Sequence, residues 1–273
     1  MINLIKKILL YIGFIYVLLV TFMFFTRYSI YYHPRDITQE EFRDFALNND
    51  LEIVRYSGYD GEQLSALYYA PGYNKPILLY FNGEYGTIEE AYAKLRPFIS
   101  EGYGFMINIY RDYEVNPGLA SQEALYGDSL AIYDHLLGMG HRDRDIVIYG
   151  YSIGSGCAVY LAAQKPMSKG LVIESGFTSA EDVMQRMYPH LPMKLIIKDE
   201  YSSQKYIKEI EQPKLYLHGD SDKYTPISLD EELYNESQLP KKFVKFKGGA
   251  HNNLQDFGAG EEITKFIKNN PHR

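Results

Sequence analysis

The stretch IVIYGYSIGSGCAVY, Ile146–Tyr160, sets four apolar residues directly before Gly-x-Ser-x-Gly and follows it with small residues at helical spacing. Ser152 therefore stands where a buried strand ends and a helix begins. A turn of that kind is tight, and Gly150 and Gly154, two residues to either side, remove the side chains that would clash in it. The N-terminus of the following helix offers backbone N–H groups and the positive end of the helix dipole, which suit an oxyanion. A phosphate-binding loop uses the same feature, but G-x-x-x-x-G-K-[ST] is absent from the chain. A bare Gly-x-Ser-x-Gly also arises in ordinary loops, so the surrounding pattern decides what this one means.

Working outward, apolar runs recur from Ile77 onward: ILLYF, FMINIY, IVIY, LVIE, LYLH and FVKF, separated mostly by helical patterns. Runs buried on both faces and alternating with helices predict a mostly parallel sheet covered by helices on either side. Upstream, LEIVRYSGYDGEQLSALYYA reads as two short strands around a Gly-Tyr-Asp-Gly turn. Thr87 and Glu90 form a T-x-x-E capping box for a helix that runs to Gly102, and Ser121 caps another that ends at Gly138. Ile263, Phe266 and Ile267 make the inner face of a final helix. No internal repeat appears.

A chain of 273 residues buries one sizeable core, and α/β folds of this length are routinely one domain. Hydrophobic residues at 46% and charged residues at 23% describe an ordered globular protein. A net charge of -7 with no Lys/Arg-rich run argues against a nucleic-acid partner. The single cysteine, Cys157, excludes an internal disulfide. Tyrosine is abundant at 27 residues, and packing in the core or a groove accounts for it.

The N-terminus has a different texture. ILLYIGFIYVLLVTFMFF, Ile8–Phe25, carries no charge and approaches the ~20 apolar residues that span a bilayer. The bulky FFTRYSIYYHPR that follows lacks the small residues of a signal-peptidase site, so the run reads as an uncleaved anchor. This divides the chain into residues 1–30, the transmembrane anchor and its flanks, and residues 31–273, the α/β domain. YYHPRDITQEEFRDFALNND is expected to be a polar connector that turns into a short helix near Gln39–Leu47. Lys6 and Lys7 favour a cytoplasmic N-terminus and a domain on the non-cytoplasmic side, although Arg27, Arg35 and Arg43 nearly balance them.

A serine hydroxyl is a poor nucleophile without a base. Of the seven histidines, His33 and His272 lie at the ends of the domain, His135 and His141 flank a helix end, and His190 sits in a turn-like YPHLP. His218 ends a strand in LYLHGDSD. In a nucleophile-elbow arrangement the order is Ser, acid, His, with the base after the last strand, and His251 in KFKGGAHNN fits that order and place. The acid belongs after the penultimate strand, where Asp220 and Asp222 compete, with Glu174 after LVIE as a third option. His218 with the two aspartates makes a poor metal set, for want of further ligands at familiar spacing.

At these residues the sequence resembles the α/β-hydrolases, from about Leu51 to Lys268. It is most similar to a membrane-anchored, small-lid branch that includes serine-aminopeptidase-like hydrolases and protein depalmitoylases. That branch pairs GxSxG with HG-x-x-D and a late Gly-x-x-His or Gly-x-His. GYSIG, HGDSD and GGAHNN match in order and spacing. The resemblance implies a catalytic set of Ser152, Asp222 and His251, favours Asp222 over Asp220, and makes Glu174 structural. It also implies an oxyanion hole built from the backbone N–H groups of Ile153 and Glu84. Here the chain departs from its relatives: YFNGEYG carries Asn82 where the branch has His, and Glu84 at the donor position. A backbone donor survives any non-proline substitution, and the Glu84 carboxylate is expected to face solvent, away from the developing negative charge. Residues 177–212 form a short lid, leaving an open groove suited to a bulky acyl chain or a peptide-borne ester.

The resulting expectation is a membrane-tethered serine hydrolase that cleaves an ester, thioester or amide through an acyl-enzyme, with no cofactor and no metal. The alternative is a catalytically silent α/β-hydrolase fold that serves as a membrane-bound binding or interaction module, the reading the Asn82–Glu84 departure keeps open.

Overall fold

The apolar runs become the central strands of an eight-stranded sheet with the order β1-β2-β4-β3-β5-β6-β7-β8. The strands are β1 (Glu52–Ser57), β2 (Gln63–Tyr69), β3 (Ile77–Phe81), β4 (Gly104–Asn108), β5 (Ile146–Tyr151), β6 (Gly170–Glu174), β7 (Lys214–Gly219) and β8 (Lys241–Phe246). Only β2 runs against its neighbours, pairing antiparallel with β1 and β4; β3 to β8 are parallel. Every residue of β3, β4, β6 and β7 is buried, which requires cover on both faces and explains their unbroken apolar texture. The edge strand β8 is half-exposed and carries Lys241, Lys242 and Lys245, charges that discourage pairing with another chain. The computed structural model describes residues 1–270; His272 lies outside them.

Two helix starts follow from their caps. Thr87 accepts from the Glu90 N–H while the Glu90 carboxylate accepts from the Thr87 N–H, a complete capping box for the helix Ile88–Leu95. Ser121 accepts from the Ala124 N–H at the head of the helix Gln122–Gly138. The first of these departs from the single helix to Gly102 expected from its periodicity. Pro97 follows Arg96, and the chain tightens into a 3₁₀ turn over Arg96–Glu101 before Gly102 closes it at φ 75°. A proline lacks the N–H that would continue the α-helical ladder, so the α-helix stops at Leu95.

Tyrosines fill much of the core. Tyr80, Tyr133, Tyr149, Tyr201 and Tyr216 are among its largest fully buried side chains. Tyr126 stacks on Tyr160 at 4.1 Å and meets Tyr201 and Tyr206 edge-on. The polar connector expected after the anchor is packed onto the domain instead. Tyr31 and Tyr32 are buried, Tyr28 donates its hydroxyl to Asp112, and the Tyr32 hydroxyl lies 2.9 Å from Asp199 and 2.7 Å from that of Tyr201. Tyrosine hides an apolar ring while its hydroxyl finds a partner, so a segment that reads as polar by its charges can still be buried by its rings.

The helix Ile2–Phe25 is long and apolar enough to cross a membrane, and none of it is buried in the domain. Val20 and Met23 near its end pack against the core.

Candidate active site

Ser152 occupies the sharp turn between β5 and the helix Ile153–Gln164, with φ 53° and ψ −125°. A non-glycine residue held there stores strain on the order of 1–3 kcal/mol, a cost that clusters at functional sites. Both flanking glycines are required by contact. A Cβ on Gly150 would meet the Gly154 carbonyl oxygen at 2.4 Å, and one on Gly154 would meet the Phe81 carbonyl oxygen at 2.2 Å. The Ser152 N–H donates to the Glu174 carbonyl at 2.9 Å, tying the elbow to the end of β6. Ile153 opens the helix, in the first turn, where backbone N–H groups lack intrahelical acceptors.

Two loops bring the other expected residues to Ser152. His251 Nε2 lies 3.0 Å from Ser152 Oγ, and His251 Nδ1 lies 2.7 Å from Asp222 Oδ2. The second Asp222 oxygen accepts from the N–H groups of Tyr224 and Thr225, both at 2.9 Å. Burial would raise the Asp222 carboxyl, but the hydrogen bonds from His218 and His251 outweigh it and hold the group well below the usual carboxylate range.

The competing carboxylates are engaged elsewhere. Asp220 accepts from the Gly248 N–H at 2.7 Å and bends the loop that carries His251. Glu174 is fully buried, paired with Lys94 at 2.5 Å and accepting from the Tyr149 hydroxyl. That Lys94 ammonium also sits 4.0 Å above the Tyr151 ring, one residue from the elbow.

His218 and Asp230 extend the site behind the acid, and the strand-end reading of His218 missed them. His218 Nδ1 faces Asp230 Oδ2 at 2.9 Å, and its Nε2 faces the Thr225 carbonyl at 3.0 Å and Asp222 Oδ2 at 3.4 Å. Burial alone would neutralise this imidazole; the hydrogen bonds to Asp222 and Asp230 prevail and raise it to about 10. Burial also pushes the Asp230 carboxyl up, which favours a proton held between His218 and Asp230. Asp230 lies on the helix Ile227–Glu236, so no motif around HGDSD announces it.

The NGE loop crosses directly above the elbow, where a Cβ on Gly83 would stand 3.0 Å from the Tyr151 ring and 3.4 Å from Ser152 Cβ. Asn82 does the bracing: its side-chain oxygen accepts from the Gly83 N–H at 3.0 Å, and its amide donates to the Thr87 carbonyl at 3.1 Å. The Tyr113 hydroxyl donates to the Glu84 carbonyl at 2.9 Å. The Glu84 side chain is not directed freely into water, as the sequence suggested. Desolvation pushes its carboxyl up to about 7, and Tyr31, Tyr113 and Tyr151 all lie within reach of its charge. These tyrosines come from three separate segments, so local sequence could not reveal the desolvation.

No family model matches the chain. An uncharacterized protein of Mycobacterium tuberculosis is 33% identical over 196 residues, covering 71% of this chain and 69% of that one. The α/β-hydrolase domain-containing protein WAV2 of Arabidopsis thaliana is 27% identical over 227 residues, 75% of this chain and 73% of the relative. This chain belongs to the α/β-hydrolase superfamily. Another α/β-hydrolase relative, the lysophosphatidylserine lipase ABHD12 of Rattus norvegicus, is 26% identical over 193 residues, 64% of this chain but only 48% of the lipase. The chain thus spans about half the length of that protein. Among solved α/β-hydrolase structures, an esterase of Pyrococcus furiosus superposes with a TM-score of 0.67 at 14% identity, covering 88% of this chain and 98% of the esterase. At that identity the likeness establishes the fold.

Proposed function

We propose that the chain is a membrane-tethered serine hydrolase that cleaves carboxylic esters of acyl chains through an acyl-enzyme. The observation that carries this reading is the continuous Ser152–His251–Asp222 hydrogen-bonded series on a strained elbow. The name of the lipase relative supports an acyl-lipid ester over a peptide bond or thioester.

Ser152 Oγ attacks the ester carbonyl carbon as His251 Nε2 takes its proton, while Asp222 holds His251 Nδ1–H and stabilises the imidazolium. The carbonyl oxygen becomes an oxyanion, which the N–H groups of Ile153 and Glu84 receive. His251 returns the proton to the leaving alkoxide, and the C–O bond breaks to leave Ser152 acylated. Water, deprotonated by the same imidazole, then releases the acid and restores the serine. The helix Ile2–Phe25 holds this site at a membrane, in keeping with an anchor over residues 1–30 and a hydrolase domain over residues 31–273.

Fluorophosphonate labelling of the full chain in detergent, followed by a chain-length series of p-nitrophenyl esters, tests the proposal. Ser152-dependent labelling and turnover are expected. A chain that takes up no label and turns over no ester would be the catalytically silent module.

A further inference from the structure

The lid is bound to the apolar N-terminal helix. The Tyr16 hydroxyl donates to the His190 carbonyl at 2.9 Å, and the same helix packs against the lid turn Met193–Ile196. Residues 2–15 are all exposed, and the uncharged run Ile8–Phe25 continues past Tyr16 along the lid. At 1.5 Å per residue that run rises about 27 Å. A bilayer's hydrocarbon core is about 30 Å thick. A helix that spans it therefore needs the whole uncharged run, including the stretch that runs beside the lid.

The surface beside that stretch has the composition that such immersion requires. Leu195 is 70% exposed and Met187 and Tyr188 are 42% exposed, on segments that flank the helix contact. Tyr188 lies close enough to Tyr85 to act on its hydroxyl, and so does Tyr224, whose ring centroid is 5.5 Å from that of His251. Tyr85 and Tyr224 are 62% and 63% exposed. Exposed tyrosines thus stand beside His251 (Tyr224), next to the Asn82–Glu84 loop (Tyr85) and on the lid (Tyr188). Tyrosine favours the membrane–water boundary, where its ring is buried and its hydroxyl stays wet. Lys194, exposed beside Leu195, has a stem long enough to carry its charge outward from such a layer.

We propose that the lid segment Met187–Leu195 and the Tyr85–Tyr188–Tyr224 rim are immersed in the same bilayer as the N-terminal helix, so that the mouth of the site opens onto lipid. This rests on the anchoring of the helix Ile2–Phe25. An ester whose carbonyl sits at the membrane–water boundary reaches Ser152 without crossing water, and its chain remains in lipid until hydrolysis.

Site-directed nitroxide labelling of the full chain in phosphatidylcholine vesicles tests this, because the native Cys157 is buried and single added cysteines can be read separately. Labels are placed by Leu195→Cys on the lid, Leu10→Cys on the exposed N-terminal part of the helix, and Tyr73→Cys in the β2–β3 loop, at the end of the strands opposite the site. Circular dichroism checks that each variant is folded. Collision with oxygen against a water-soluble nickel chelate reports depth. The expected result is oxygen-favoured labels at positions 10 and 195 and a chelate-favoured label at 73. A lipid-embedded label at 10 with a chelate-exposed label at 195 overturns the immersed lid and leaves the anchor standing. A chelate-exposed label at 10 overturns the anchor and this proposal together.

Discussion

The imidazole of His218 stands 3.4 Å behind the Asp222 carboxylate, with its other nitrogen 2.9 Å from Asp230, and none of the three is open to solvent. The buried His218–Asp230 pair fixes the acid from the side that His251 does not touch. Removing His218 leaves buried charge without a partner, a loss on the order of 3–5 kcal/mol. His218→Gln should therefore lower the melting temperature strongly. The pH dependence gives a separate signature. The folded imidazole is raised to about 10 from an ordinary 6.5, so its contribution is complete below pH 6.5 and fades as pH rises toward 10. Wild-type stability should slope downward across that window, and His218→Gln should flatten the slope. Equal slopes in thermal melts from pH 6 to pH 10 would contradict a proton held by the His218–Asp230 pair.

Gly154→Ala should abolish soluble, folded protein or cost several kcal/mol. Its Cβ would meet the Phe81 and Asn82 carbonyl oxygens at 2.2 and 2.5 Å, and neither is a flexible side-chain end. Gly138→Ala makes the control. That glycine closes the helix Gln122–Gly138 with nothing within 4 Å of its Cβ position, so the change should be neutral or slightly stabilising. Chemical denaturation of the two variants side by side measures the difference.

Much of this architecture was legible because its cause is local. The all-apolar runs gave the parallel strands, and Thr87, Ser121 and Gly102 marked helix ends through caps and a left-handed turn. The motif order likewise anticipated that Ser152, Asp222 and His251 would meet, since each lies just beyond the C-terminal end of a parallel strand. What escaped depends on contacts between distant segments. Asp230 reaches His218 from a helix, the Tyr113 hydroxyl holds the Glu84 carbonyl from another loop, and the Tyr16–His190 bond joins segments 174 residues apart. Alternation and spacing carry no record of such pairs.

Asp222→Asn should reduce ester turnover by about 10⁴-fold, because an amide fails to hold the imidazole in the competent tautomer. Asp220→Asn should cost less than tenfold, acting through the loop that its bond to the Gly248 N–H shapes. Glu174→Gln should act mainly on stability, since it breaks the buried bond to Lys94. Ser152→Ala should abolish both turnover and fluorophosphonate labelling in a folded protein. Steady-state kinetics with a single p-nitrophenyl ester ranks these variants, and a larger loss for Asp220→Asn than for Asp222→Asn would reassign the acid.

Glu84 should impose an alkaline limb on the activity. Its desolvated carboxyl, pushed up to about 7, is neutral at mildly acidic pH and charged above neutrality. In the charged form it opposes the oxyanion that develops beside the Gly83–Glu84 loop, in a setting where little water screens it. The rate should fall as pH rises through about 7 and Glu84 gains its charge. Glu84→Gln keeps the backbone donor, the side-chain length and the loop, and removes only the ionisation. Its kcat/KM should match wild type near pH 5.5 and exceed it by roughly tenfold at pH 9, a difference of about 1.4 kcal/mol in the barrier. An unchanged alkaline limb in Glu84→Gln would detach the fall from this residue. A loss of about 100-fold at every pH, the scale of a missing oxyanion donor, would instead make the carboxylate itself a participant in the chemistry.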